Sequence, residues 1–104
     1  MKLISIESYP GKQYEVLGLV KGTIVQTKNL GRDFMAGMKS LVGGELVGYT
    51  EMLNEARQLA TKRMVDEADS LGADAVIGVR YGSSQVMQGA AEVVAYGTAI
   101  KFTE

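Results

Sequence analysis

Cysteine and histidine are both missing from this chain of 104 residues. Without cysteine no disulfide framework can form. Without thiolate or imidazole the usual zinc ligand sets are excluded. Ser-His-Asp triads, cysteine nucleophiles and histidine acid/base chemistry go with them. Tryptophan is also absent and proline occurs once. No apolar run approaches the ~18 residues of a membrane-spanning helix. Glu7 and Pro10 interrupt the apolar N-terminal residues that a signal peptide would need, so a cytoplasmic location is expected. Neither sign of charge dominates: 11 basic and 12 acidic residues, mixed along the chain, leave a formal charge of −1. That balance gives no electrostatic footprint for nucleic acid or for an anionic membrane. The length suits one compact domain over residues 1–104.

The best-specified stretch runs from Gly43 to Tyr81. Leu53, Ala56, Ala60, Met64, Ala68 and Leu71 recur at steps of three or four, with Met52 and Leu59 widening the stripe, as on one face of a helix. Glu51, Glu55, Arg57, Lys62, Arg63, Asp66, Glu67 and Asp69 form the solvated face, and Lys62–Asp66 and Arg63–Glu67 are spaced to pair one turn apart. Thr50 suits the N-cap, with Gly44 or Gly48 as earlier starts. Gly72 stands where a left-handed C-terminal residue would end the helix. The apolar run Ala75–Val79, closed by Arg80 and Tyr81, reads as a strand buried on both faces.

On the N-terminal side, Leu3, Ile4 and Ile6 form a short apolar segment before the Pro10-Gly11 turn signal. Tyr14 to Thr27 is rich in β-branched residues and reads as one long strand, or two with a bend near Gly18 or Gly22. Val16, Val20 and Ile24 share one parity; Leu17, Leu19 and Val25 take the other. Phe34, Met35, Met38, Leu41 and Val42, with Asp33 in or just before the first turn, have the spacing of a short helix ended by Gly43-Gly44. After a turn at Gly82-Ser83-Ser84, Gln85–Gln88 continues or restarts a strand, and Glu92–Phe102 is a final one, with Val94, Tyr96, Ile100 and Phe102 on one side and Val93, Ala95 and Ala99 on the other.

The expected architecture is therefore α+β: a small, mainly antiparallel sheet with elements in the order β-α-α-β-β and two helices on one face. Every long strand is apolar on both parities, so the second face needs a cover. Identical subunits are the economical source of one.

The segments PGKxYEVLGLVKG, VGGE…YT…AR…RM, GADAVIGVRY and EVVAYGTA together resemble the YbjQ-like family of small uncharacterised bacterial and archaeal proteins. The match runs from about Pro10 to Phe102. The resemblance implies a dodecin-like fold and a ring-shaped homopentamer. The family also carries the label "putative heavy-metal-binding". Soft metals prefer thiolate, imidazole or thioether donors, and methionine is the only one of these here. Met35 and Met38 on one expected helix and Met52 and Met64 on the other would have to supply a copper(I)-type site. The competing role is filling gaps in a core, the commoner use of methionine.

The polar residues within the shared motifs are Glu45, Tyr49, Arg57, Arg63, Arg80 and Glu92. They are the candidate ligand-binding residues, in a pocket between subunits for a small anion, metabolite or metal ion. Their alternative role is ion pairing that fixes subunit geometry, with Arg80 and Glu92 pairing across the terminal hairpin. Gly43-Gly44-Glu45 lacks the Lys-Ser/Thr of a phosphate-binding loop and suits a tight helix–helix connection. Ser83 and Ser84 have no base beside them. No catalytic set emerges and no cofactor is indicated. The expectation is a non-enzymatic, ring-forming protein whose main partner is itself, with a small-ligand or metal-binding module as the alternative.

Overall fold

The computed structural model describes residues 1–27, 41–42 and 45–103. The main sheet contains β1 (Lys2–Leu3), β2 (Tyr14–Thr27), β5 (Ala75–Met87) and β6 (Ala90–Phe102), in the spatial order β1-β5-β6-β2. β6 is antiparallel to both β5 and β2, while β1 joins β5 in parallel, which makes the sheet mixed. β3 (Leu41–Val42) and β4 (Glu45–Leu46) form a separate antiparallel pair, and helix α1 (Val47–Ser70) follows.

The expected β-α-α-β-β order with two helices does not hold. Among the described residues there is one helix, and the main-sheet order is β-β-α-β-β. Leu41 and Val42, expected on a helix face, pair instead with Leu46 and Glu45. Gly43 and Gly44, expected to end that helix, lie outside the described residues. Asp33, Phe34, Met35 and Met38 of the expected first helix lie outside the described residues. The long helix begins at Val47 rather than after Thr50. Gly48 is tolerated there because amides of the first turn have no intrahelical partner to lose. β5 also runs unbroken through the Ser83-Ser84 pair, and the reversal follows at Gln88-Gly89.

At its other end α1 stops as expected. Gly72 takes φ +77°. The Ala73 amide donates to the Ala68 carbonyl at 3.1 Å and the Gly72 amide to the Asp69 carbonyl at 3.0 Å. This is the paired bonding of a Schellman cap, which satisfies carbonyls that the helix end would otherwise orphan. The cap aims the chain into β5, where the Asp74 amide bonds the Ile100 carbonyl and the Asp74 carboxylate accepts from the Phe102 amide.

The buried stripe of α1 is Met52, Ala56, Ala60, Met64 and Ala68, one residue every four. Leu59 and Leu71, expected to widen it, are exposed. The stripe is narrow because its centre is alanine, which lets the helix backbone come down onto the sheet. Gly22 is the contact point: a Cβ there would run into the Ala60 carbonyl and the Met64 amide. Val20, Val76, Val79, Val93, Ala95 and Ala99 complete this core from the sheet. Side chains of α1 also reach the outer edge of β2: Arg63 donates to the Thr23 carbonyl at 2.7 Å and Glu67 accepts from the Lys21 amide at 3.3 Å. Arg63 therefore serves the sheet edge rather than Glu67, whereas Lys62 pairs with Asp66 at 3.0 Å as its spacing predicts.

The parity of β6 is as read from the sequence. That of β2 is not uniform, because its register with β6 shifts between Val16 and Gly18. The irregularity places Leu17 with Val20 and Ile24 against the helix core, and Val16 with Leu19 and Val25 on the opposite face. That back face is partly covered by the chain itself. Residues 4–6 continue β1 along β5, and Ile4, Tyr9, Tyr14 and Phe102 pack around Ala75, Ile77 and Ile100. Tyr9 meets Phe102 edge-on at 4.9 Å. Beyond this cover the face is bare. Val16, Leu19, Val25 and Tyr96 stand 63%, 69%, 53% and 40% exposed.

Candidate functional site

The six polar residues singled out in the sequence do not converge. Glu45 sits in β4 opposite Val42. Arg57 is on the exposed side of α1 and donates to Asn54 Oδ1 at 2.7 Å, a contact within its own helix. Arg63 is committed to the edge of β2. Arg80 turns to the N-terminal segment, donating to the Ser5 carbonyl at 2.6 Å and approaching Glu7 at 3.5 Å. It lies opposite Tyr96, whereas Glu92 lies opposite Ser84, four residues further along β5. At about 3.3 Å per residue that is roughly 13 Å, too far for Arg80 to pair with Glu92. The register of the hairpin, not residue chemistry, prevents the expected ion pair.

Tyr49 is the exception. It lines an open cavity of about 460 Å3 on the helix side of the sheet. Tyr49 and Leu53 come from the first turns of α1; Ser83, Ser84 and Gln85 come from the distal half of β5; Gln88 comes from the turn and Ala91 from the start of β6. Leu53 packs on the core and Ala91 is buried, which gives the cavity a fixed apolar floor. By register Ser83 and Gln85 face the helix and Ser84 the back, so the lining offers the hydroxyls of Tyr49 and Ser83 and the carboxamides of Gln85 and Gln88, and no described lining residue is charged. A hydrogen bond of 2.8 Å between Thr61 and the Tyr81 hydroxyl ties α1 to β5 further along the same face. In the sequence Ser83 and Ser84 read as a turn without a base beside them and Gln85–Gln88 as a strand, so none of these stands out as a ligand-binding residue. The available signal was the density of hydrogen-bonding side chains between Ser83 and Gln88, which reads equally well as a turn.

The YbjQ family, described as "Putative heavy-metal-binding", matches residues 1–103. A UPF0145 protein of Clostridium novyi is 59% identical over 101 residues, covering 97% of this chain and 98% of that protein. A UPF0145 protein of Helicobacter hepaticus is 57% identical over 101 residues, with 97% of each chain covered. A crystal structure of a protein of unknown function from Pediococcus pentosaceus, of the DUF74 family, superposes with a TM-score of 0.64 at 22% identity. It covers 98% of this chain and 97% of that one, a likeness of fold.

The metal in the family description can be tested against the donors present. Among the described residues no three carboxylate, thiol or imidazole side chains cluster to hold an ion. Met52 and Met64 are buried in the helix–sheet core. They lie twelve residues apart on one helix, about 18 Å at 1.5 Å per residue, and cannot share a metal. Several carboxylates are already engaged: Asp66 with Lys62, Glu67 with the Lys21 amide, Asp74 with the Phe102 amide. The described residues do not fit a soft-metal centre.

Proposed function

This chain belongs to the YbjQ family, and from that premise we propose that it acts as a self-assembling, non-catalytic cytoplasmic protein, a ring of identical copies packed through the back of the sheet. The observation that carries the reading is the bare row of Val16, Leu19, Val25 and Tyr96 on a face whose other end the chain covers with its own N-terminal segment. Apolar side chains clustered on one flat face mark a contact surface. A second copy suits it. By strand parity and register, Lys21 and Glu92 belong to the same face, so adjoining copies can set unlike charges against each other. A formal charge of −1 opposes association very little.

The shape supports the same reading. The protomer measures 54 × 26 × 17 Å, with a radius of gyration of 16.9 Å. A compact chain of this length would have about 13 Å. Five copies is the number the family resemblance implies.

Size-exclusion chromatography with light scattering tests the proposal. Five times the 11.2 kDa protomer, about 56 kDa, is the expected mass. A folded 11.2 kDa monomer at micromolar concentration would refute it.

A further inference from the structure

We infer that the cavity between the start of α1 and the β5–β6 hairpin is a binding site for an uncharged, planar heteroaromatic ring with an amide-like edge, of the kind carried by a nucleobase or nucleoside. The class follows from what lines it. Among the described lining residues there is no lysine, arginine, aspartate or glutamate, so none of them neutralises a phosphate or holds a cation. Gln85 and Gln88 are both at the rim. A carboxamide sets a donor beside an acceptor, the complement of a ring edge that does the same, and this is how glutamine pairs with the edge of adenine. The hydroxyls of Tyr49 and Ser83 donate or accept as required. Leu53, Ala91 and the Tyr49 ring offer the apolar surface against which a flat base stacks. The volume, about 460 Å3, falls within the roughly 300–1,000 Å3 of small-molecule sites.

This site is on the helix side of the sheet, whereas the proposed subunit contact is on the back. The inference therefore stands independently of assembly. Gln85 and Gln88 are exposed and outside the core, so their replacement leaves the fold in place.

Isothermal titration of the full chain with adenosine, guanosine, uridine, adenosine 5′-monophosphate, glucose and zinc chloride tests it, with mass and melting temperature measured on the same samples. At least one nucleoside is expected to bind. If it is adenosine, its monophosphate binds no more tightly. Gln85→Ala and Gln88→Ala each weaken the interaction about tenfold or more, with melting temperature and assembled mass unchanged. Absence of binding by every nucleoside up to millimolar concentration overturns the inference. So does nucleoside binding that survives both substitutions, or glucose or zinc binding that is lost with them.

Discussion

Adding one methyl group at Gly22 should separate the helix from the sheet. In Gly22→Ala the new carbon would meet the Ala60 carbonyl and the Met64 amide, and would stand 2.7 Å from Arg63 Cβ. Carbon atoms pack at about 3.5–4.0 Å, so α1 must withdraw by roughly 1 Å. Two of the obstacles are backbone atoms, so a rotamer change cannot relieve the clash. Withdrawal loosens Ala56, Ala60, Met64 and Ala68 from Val20, Val93 and Ala95 together, because one rigid helix carries all four. Overpacking of this kind costs about 1–3 kcal/mol, and a main-chain obstacle belongs at the upper end. The reduced freedom of the unfolded chain returns about 0.4–1 kcal/mol. A net loss of about 2 kcal/mol corresponds to a fall of roughly 8–16 °C in melting temperature for a domain of this size. Thermal unfolding followed by circular dichroism, at matched protomer concentration, measures it. Gly82→Ala is the control: its nearest neighbour is the Val94 Cγ1 at 3.3 Å, a side-chain atom that can yield. Equal melting temperatures for the two variants would refute the close approach of α1 to β2.

Other substitutions separate the remaining claims. Gly72→Ala forces a side chain into φ +77° and should cost about 1–2 kcal/mol in denaturant unfolding, with no change in assembled mass. Leu19→Asp alters a residue that is 69% exposed in the protomer, so secondary structure should persist while light scattering reports smaller species. An unchanged mass would move the subunit contact off that face. Tyr81→Phe removes the hydroxyl bonded to Thr61 and should cost about 1 kcal/mol in the same unfolding assay.

The parts of the fold legible in the sequence are those where one periodicity runs without interruption. The four-residue stripe from Met52 to Ala68 and the alternation from Val93 to Phe102 are of this kind. Strand β2 was legible in extent but not in facing, because a single register shift before Gly18 exchanges Val16 and Leu17 between faces. Strand β1 could not be read at all: two residues carry no period, and their parallel pairing with Ala75 and Val76 is a long-range event. The expected first helix shows the opposite fault. Leu41 and Val42 fit a helical spacing, yet they pair as a strand. At the candidate site, Tyr49 lies within a shared motif and lines the cavity. The arginines lie in the same motifs, but each answers to an acceptor nearby in space that sequence does not reveal: Asn54, the Thr23 carbonyl, the Ser5 carbonyl. The cavity brings Tyr49 to Ser83 and Gln85 across more than thirty positions of chain, and no local pattern encodes that meeting.

The reach of Arg63 and Glu67 to the rim of β2 has a consequence for how copies can meet. A sheet border with open amides and carbonyls invites another chain to zip onto it, and repeated zipping grows fibrils. Here the Lys21 amide and the Thr23 carbonyl are already occupied by the helix above. Growth by strand addition is blocked along that stretch of the border.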